Sequence, residues 1–296
     1  MQKKVVVRIK GGLGNQLFCY AAARRLALAN DAELVIDHVS GFERDFQFKR
    51  EYALAPFAIR SRFASPNERR SPLAGLRRNL ARLRNRHRDF SCRTYIEQRG
   101  MEYDPRLLTV RVGSSVYLDG LWQSERYFKD VAPTIRQDLA ITPPSDHASR
   151  AVSESMQQGV PVAVHVRWFD APGEDRGHNA GLDYYARAIE LMESRLPGAH
   201  YYLFSDNPAA ALAYLQLPPG RTSVVDHNRD PADAYKDLWL MSKCSHFICA
   251  PSTFSWWAAW LAESTDKLVV VPGYNAINAL TSWGFDGMLP DDWIRV

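Results

Sequence analysis

The second half of the chain alternates short apolar runs with longer segments of helical pattern. The apolar runs have the length of strands and are rich in β-branched and aromatic residues. The pattern predicts strands over 160–167, 200–205, 222–225, 246–250 and 267–271, and helices over 147–158, 183–195, 207–215, 233–243 and 253–263. Because parallel strands need crossover connections, this alternation predicts a parallel sheet covered by helices on both faces. An α/β fold is therefore expected.

The first half opens with a unit of the same kind. A strand over 4–9, the turn GGLGNQ, a helix ending near Asn30 and a strand over 33–37 begin a doubly wound sheet. Further helices are predicted over 72–88 and 124–139, and further strands over 94–98 and 116–121. The run Pro-Pro-Ser-Asp at 143–146 is the best linker. We therefore predict one domain over 1–143 and a second over 144–296.

Three chemically competent side chains, His165, Arg167 and Asp170, come at the end of the strand over 160–167. In a parallel sheet the carboxyl ends of the strands open into the ligand crevice. A strand end that merely carries a salt bridge between Arg167 and Asp170 is an equally good interpretation of these residues alone.

The turn after the first strand contains Gly12, Gly14, Asn15 and Gln16. Glycines let the backbone approach a ligand, and a helix N-terminus offers free N–H groups. Asp37 ends the next strand, where dinucleotide-binding folds place an acid on the ribose, but Leu17 occupies the third glycine position of that fingerprint. A tight turn, a nicotinamide site and another ligand site stay open.

Two later strands also end in polar residues. The strand over 200–205 runs into Ser205, Asp206 and Asn207, which are residues that commonly cap a following helix. Ser252 is a natural N-cap for the helix over 253–263, and its hydroxyl, that of Thr253 and the first N–H groups would bind an anion. The alternative is a capped, buried helix with an aromatic face.

Several absences in the sequence narrow the function. There is no G-x-x-x-x-G-K-[ST], no Asp-x-Asp and no His pair at i, i+4, so neither a P-loop nor a metal site is expected. Four cysteines without a C-x-x-C pair predict free, buried thiols, and no signal-like or membrane-spanning stretch occurs. We therefore expect a cytoplasmic protein without cofactor.

The arginines are concentrated in one segment. Residues 60–93 hold eleven arginines against Glu68 and Asp89, a balance of +9, so the rest of this chain of net charge +4 is acidic. That distribution does not favour a nucleic-acid partner. Within it, the predicted helix over 72–88 has a stripe of leucines and an arginine-rich face. It either rests on an anionic inner membrane or packs on its own domain through the leucines.

Four segments, GGLGNQLFCYAAARRLA, HVRWFD, FSDN and CSHFICAPSTFSWWAAWLA, resemble in this order the motifs of glycosyltransferase family 11, whose typical members are bacterial α-1,2-fucosyltransferases. The resemblance implies a GT-B architecture, in which two Rossmann-like domains face each other across a cleft. It also implies a metal-independent, inverting transfer of fucose from GDP-fucose to a glycan, typically to O2 of a terminal galactoside. An acceptor that is a free oligosaccharide or linked to lipid fits this reading.

The resemblance further implies roles for individual residues. Arg167 would bind the β-phosphate, His165 would help to place the nucleotide, and Asp237 would accept from the guanine. The N-terminal domain would contact the acceptor, and the C-terminal domain would bind GDP-fucose. The residues expected at the donor are Gly12, Gly14, Asn15, Gln16, His165, Arg167, Ser205, Asp206, Asn207, Asp237, Ser252, Thr253 and Phe254.

The general base is not identified by this pattern. Asp170, Glu174 and Asp175 are close enough to Arg167 in sequence to serve, and Asp170 alternatively orients Arg167. Trp168 and Phe169 stand where the family usually has a basic or small residue, and their rings could stack on an acceptor sugar. The alternatives are an NAD-dependent oxidoreductase, a non-catalytic sugar-binding module, or a glycosyltransferase for another nucleotide sugar.

Overall fold

The computed structural model describes residues 2–172, 178–277 and 282–296, and the chain forms two compact units. The first comprises Met1–Ile141 with Asp286–Met288, and the second comprises Thr142–Phe285 with Leu289–Val296. The sequence placed the division after residue 143 and did not predict that 286–288 belong with the first unit. Hydrogen bonds from Tyr103 N to Asp286 O and from Ser124 Oγ to Gly287 O attach this segment.

The N-terminal unit is built on a five-stranded, wholly parallel sheet with the order β3-β2-β1-β5-β4. Its strands are β1 (Lys4–Arg8), β2 (Glu33–Asp37), β3 (Arg62–Phe63), β4 (Tyr95–Glu97) and β5 (Ser115–Asp119), and its helices are α1 (Leu13–Ala29), α2 (Ala74–Asn85) and α3 (Ala132–Asp138). The chain steps outward from β1 to β3 and then fills the other side of β1, so the order of strands reverses between β1 and β5.

Helix α1 forms because its sequence is rich in alanine and leucine, which are strong helix formers. It begins directly after Gly12, and Gly11 has φ +77°, a backbone region that favours glycine. Most of α1 is buried, and it ends at Asn30, whose side chain bonds to Leu26 O and Val110 O. The β–turn–α–β opening predicted from the sequence is therefore present.

The single helix predicted over 124–139 is wrong. The segment forms two short 3₁₀ turns, Glu125–Tyr127 and Lys129–Val131, before α3 begins at Ala132. Pro133 lies in the first turn of α3, where its missing N–H does no harm, whereas inside one long helix it would break a hydrogen bond.

The C-terminal unit contains a six-stranded parallel sheet of order β13-β10-β9-β6-β7-β8 and a small antiparallel pair, β11 with β12. The strands are β6 (Pro161–Val166), β7 (His200–Ser205), β8 (Thr222–Val225), β9 (His246–Ile248), β10 (Val269–Val271), β11 (Ala276–Ile277), β12 (Ser282–Trp283) and β13 (Ile294–Arg295). The helices are α4 (His147–Met156), α5 (Leu182–Arg195), α6 (Pro208–Tyr214), α7 (Ala234–Ser242) and α8 (Thr253–Leu261).

Strand β6 is central to this sheet and is buried at every position. After β8 the chain returns past β6 and continues with β9 on its other side. The order of strands therefore reverses between β6 and β9, and ligands of open α/β sheets bind outside the carboxyl ends of strands at such a point. The residues that follow Val166 and Ile248 stand at this edge.

Two sequence expectations about the surface are corrected. Cys19, Cys244 and Cys249 are buried free thiols as predicted, but Cys92 is exposed. The leucines of α2 face solvent, so the packing of this helix on its own domain through those leucines is wrong. Within the described residues, no helix combines the length and the apolar character needed to cross a membrane.

Candidate functional site

His165, at the end of β6, is almost completely buried, with 6% of its surface exposed. Its ring lies 5.6 Å from that of Phe254, so it joins the end of β6 to the start of α8. Burial, with a smaller effect of the Arg167 charge, lowers the pKa of His165 to about 3. The imidazole is therefore neutral near pH 7, and its Nδ1 has no hydrogen-bond partner among the described residues.

Arg167 is held by Asp206. Its Nη1 donates to Asp206 Oδ2 at 2.6 Å, and the Trp168 backbone N–H donates to Asp206 Oδ1 at 3.1 Å. The pairing of Val166 with Ser205 in adjacent parallel strands brings these groups together. The side chain of Arg167 remains 38% exposed, so the guanidinium is oriented and also open to a ligand.

Asp170 does not orient Arg167, and the expected salt bridge between them is wrong. Its Oδ1 lies 2.7 Å from Nδ1 of His178, and its Oδ2 accepts from the His178 N–H at 3.1 Å. Asn179 Oδ1 accepts from the N–H groups of Phe169 and Asp170. These contacts hold the two ends of the segment after β6 together. Glu174 and Asp175 lie outside the described residues.

The N-terminus of α8 offers a site for negative charge beside His165. Ser252 is extended and its Oγ accepts from the Phe254 N–H at 3.2 Å, as expected of an N-cap. The first turn of α8 carries no acidic residue. Since first-turn N–H groups of a helix have no intrahelical acceptor, this end of α8 carries a partial positive charge.

The remaining predicted residues of the C-terminal unit have local partners. Asn207 caps α6 by accepting from the Ala210 N–H at 3.1 Å, and Ser205 Oγ accepts from the Asn207 N–H. Asp237, in the first turn of α7, accepts from Asn228 Nδ2 at 2.7 Å. Burial raises the pKa of Asp237 to about 6, which leaves this carboxyl group ready to titrate in the physiological range.

Gln16 cannot face a ligand as predicted, because its amide is used inside the N-terminal unit. Nε2 donates to Gly11 O and Glu51 O, and Oε1 accepts from the Ala53 N–H at 2.8 Å. The side chain is 1% exposed and clamps the loop around Glu51 to α1.

The other three predicted residues of this turn lie at the start of α1. Gly12 is the N-cap and Gly14 is buried within the first turn. Asn15 Oδ1 accepts from Gln123 Nε2 at 2.7 Å.

Asp37 is fully buried and is not free to bind a ribose. Its carboxylate accepts from the N–H groups of Val39 and Ser40 and from the hydroxyls of Ser40 and Tyr117. The acidic residue on which a nicotinamide site depended is therefore occupied by the chain itself.

The two aromatics after Arg167 have different surroundings. Trp168 packs in part against the core of the C-terminal unit, with its ring 5.3 Å from that of Tyr214. Phe169 lies under the Arg167 guanidinium at 5.7 Å.

Sequence reasoning missed a charge cluster in the N-terminal unit. Arg8 Nη1 and Lys10 Nζ both bond to Asp119, at 3.1 and 2.9 Å, at the carboxyl ends of β1 and β5. The available signal was two basic residues, Arg8 and Lys10, spaced two apart at the end of a predicted strand, since residues two apart in an extended chain share a face.

Within the described parts of the chain, no group of three His, Cys, Asp or Glu side chains is arranged to hold a metal ion.

The chain is similar to known glycosyltransferases. The family model described as glycosyl transferase family 11 matches residues 4–282. An alpha-1,2-colitosyltransferase of Escherichia coli is 25% identical over 99% of this chain and 98% of its own length. The Escherichia coli O-antigen biosynthesis glycosyltransferase WbnK is 37% identical over 38% of this chain and 37% of its own length.

Solved structures resemble the fold at lower identity. The NodZ alpha-1,6-fucosyltransferase soaked with GDP-fucose has a TM-score of 0.52 at 17% identity, over 88% of this chain and 93% of its own. A GDP complex of Arabidopsis thaliana FUT1 has a TM-score of 0.56 at 14% identity, over 98% of this chain and 75% of its own. With the two parallel sheets, these similarities confirm the predicted α/β class and GT-B architecture.

Proposed function

Since the chain belongs to glycosyl transferase family 11, we propose that it transfers L-fucose from GDP-fucose to a glycan hydroxyl, O2 of a terminal galactoside. The observation that carries the proposal is the pairing of two positive elements at the reversal point of the C-terminal sheet. The oriented, accessible guanidinium of Arg167 follows β6, and the N-terminus of α8 follows β9. His165 and Phe254 are in contact between them.

This arrangement suits a diphosphate leaving group. In the reaction the acceptor oxygen forms a bond to C1 of fucose while the bond from C1 to the phosphate oxygen breaks on the opposite face. The transition state is oxocarbenium-like, and negative charge grows on the departing GDP. Arg167 and the α8 N-terminus would stabilise that charge, so the transfer needs no metal.

The acceptor hydroxyl must also lose a proton. Asp170 is 6% exposed and holds His178, which favours a structural role over that of a base. Glu174 and Asp175 follow Arg167 closely in the chain and are our candidates for the base.

We assign the donor to the C-terminal unit and the acceptor to the N-terminal unit. Asp237 is a good acceptor for guanine N–H groups when ionised, and Asn228 orients it. In the N-terminal unit, the loop after β2 exposes the rings of Phe46 and Phe48, and the Arg50 guanidinium lies 4.1 Å from the Phe48 ring centroid. Exposed aromatic faces of this kind suit stacking on an oligosaccharide or lipid-linked glycan.

A colitosyl donor is the second candidate for the same site. It is favoured by the full-length similarity to the alpha-1,2-colitosyltransferase. The contacts proposed above bind the diphosphate and involve no sugar atom. They would therefore bind a fucosyl and a colitosyl donor equally well. The four unpaired cysteines support action in the reducing cytoplasm.

Thermal-shift measurements with GDP, GDP-fucose and NAD test the donor class. At a hundred times its dissociation constant, a ligand stabilises by about 2.7 kcal/mol, which raises the melting temperature by roughly 5–10 °C. We expect that response with GDP and GDP-fucose and none with NAD. Stabilisation by NAD but not by GDP would contradict the proposal.

Transfer assays then separate the two donors. GDP-fucose and GDP-colitose are supplied in parallel with a panel of β-galactosides, and the product linkage is determined by NMR. We expect faster turnover with GDP-fucose and an α-1,2 linkage. Turnover with GDP-colitose alone would assign the second candidate instead.

A further inference from the structure

Helix α2 turns its most apolar side to solvent. Leu73, Leu76, Leu80 and Leu83, here called the leucine stripe, are 70, 56, 45 and 62% exposed. Leu73 is the N-cap of α2, and the spacing of three and four residues places the other three leucines along one side of the helix. A row of four exposed leucines on one helix is costly in water, and it indicates a surface that is covered in use.

The opposite side of α2 attaches the helix to the sheet. Ala81 is buried with Val6, Val35 and Tyr95, and Asn85 is buried beside it. The Asn85 side chain accepts from the Thr94 N–H at 2.8 Å, just before β4, and donates to Ala81 O within its own helix at 2.7 Å. These contacts fix the rotation of α2, so the leucine stripe cannot turn inward without losing them.

The exposed side of α2 is also strongly basic. Residues 72–88 contain six arginines and no aspartate or glutamate. Arg82 forms an ion pair with Glu97 from β4. Arg84, Arg86 and Arg88 are exposed and have no carboxylate partner among the described residues, and Arg84 stands beside the leucine stripe in helical projection.

We propose that the leucine stripe and the arginines around it form a docking surface for an anionic lipid bilayer. Leucine side chains would enter the boundary between headgroups and acyl chains, while arginines reach lipid phosphates with their guanidinium groups. This partner satisfies both features of the surface together, apolar area and uncompensated positive charge.

Other partners fit less well. A second copy of the chain would bring the same arginines against each other, which opposes association. A nucleic acid would pair with the arginines and leave four leucines in water. The membrane surface does not depend on the sugar that the enzyme transfers, so this inference goes beyond the proposed function.

Vesicle flotation with the full-length chain tests the proposal. The vesicles are pure phosphatidylcholine or phosphatidylcholine with a third phosphatidylglycerol, each at low and at high salt. We expect binding to the anionic vesicles at least tenfold above binding to the neutral ones, weakening as salt is raised.

Variants separate the two parts of the surface. Leu76→Ser with Leu80→Ser and Leu83→Ser is expected to lower binding to anionic vesicles by roughly 100-fold. Arg84→Gln with Arg86→Gln and Arg88→Gln is expected to cost about fivefold per arginine and to flatten the salt dependence.

The matched control is Leu28→Ser with Leu212→Ser, which removes exposed leucines elsewhere and should leave binding unchanged. All variants should keep the wild-type melting temperature and GDP response, because the altered side chains are exposed. Equal binding to neutral and anionic vesicles, or equal losses in the leucine variant and the control, would overturn the proposal. So would a wild-type dimer in sedimentation that the leucine variant dissociates, since it assigns the stripe to a second copy.

Discussion

Replacing Arg167 by alanine should abolish most of the transfer activity and leave the fold intact. The guanidinium pairs with Asp206 at 2.6 Å, but the two side chains are 38% and 32% exposed. An ion pair this open to solvent contributes about 0–1 kcal/mol to stability. Asp206 also keeps its bond from the Trp168 N–H after the substitution. We therefore expect the melting temperature to fall by no more than about 2–4 °C.

The effect on catalysis should be much larger than the effect on stability. A donor that faces charge developing in the transition state typically contributes about 3–4 kcal/mol, or 10²–10³ in rate. Arg167→Ala should therefore lower kcat/KM by that factor and remove most of the thermal shift caused by GDP. Arg167→Lys keeps the charge but loses the planar fork of donors, so its kcat/KM should lie between those of the wild type and Arg167→Ala.

Arg221 provides the matched control. Its Nη2 lies 2.6 Å from Glu193 Oε2, with both side chains 34% exposed, but it precedes β8 and therefore lies at the amino end of the same sheet. Arg221→Ala should cost similar stability and leave turnover and GDP affinity unchanged. The phosphate role is refuted if Arg167→Ala retains kcat/KM within threefold of wild type. Equal losses of activity in both variants would attribute the effect to stability.

Further predictions concern Asp237, Ser252 and the need for a metal. The pKa of Asp237 is raised to about 6, so its carboxyl group gains a proton as the pH falls below 6. GDP affinity measured by calorimetry should therefore drop below pH 6. Asp237→Asn should flatten this dependence of GDP affinity on pH. Because this pKa is above the ordinary value of 3.8, the protonated Asp237 carboxyl group contributes to fold stability below pH 3.8, and this contribution is lost as the pH rises through about 6. Asp237→Asn should therefore raise the melting temperature at pH 8. Ser252→Ala removes the cap on Phe254 N and should cost about 1 kcal/mol in urea unfolding, a loss that Ser252→Asp largely avoids. Excess EDTA should leave initial transfer rates unchanged, and a loss that magnesium restores would contradict the metal-independent mechanism.

Much of the fold was predictable because, in the C-terminal unit, the local hydrophobic pattern of each segment agrees with its burial in the folded structure. The run PVAVHV is apolar and β-branched and is buried on both faces as β6, so the period of the sequence matches its environment. The helix over 124–139 failed where they disagree. The composition of this segment favours a helix. Phe128, however, adopts φ −144° between two 3₁₀ turns, and α3 begins only at Ala132, with Pro133 in its first turn.

The candidate site was predictable in its location but not in its pairing. Strand ends and a serine cap are visible in sequence, whereas the partner of Arg167 depends on which strand lies beside β6. Proximity in sequence suggested Asp170, and the register of β6 with β7 supplies Asp206 instead. Gln16 shows the same limit, because two of the three backbone groups that bind its amide, at Glu51 and Ala53, lie more than thirty residues away.

Helix α2 shows why periodicity alone cannot decide which side of a helix is buried. Its leucines predict an apolar side, and the usual inference is that this side packs on the core. Here a small residue, Ala81, allows close approach to the sheet, and the Asn85 side chain accepts from the Thr94 N–H on that side. The contacts between α2 and the core therefore do not involve the leucine stripe, and the four leucines remain exposed on the surface. If Asn85 fixes this orientation, Asn85→Leu should weaken the attachment of α2 and lower binding to anionic vesicles, although it adds apolar area to the helix. Stronger binding by this variant would show that total hydrophobicity, and not the direction of the stripe, controls contact with the membrane.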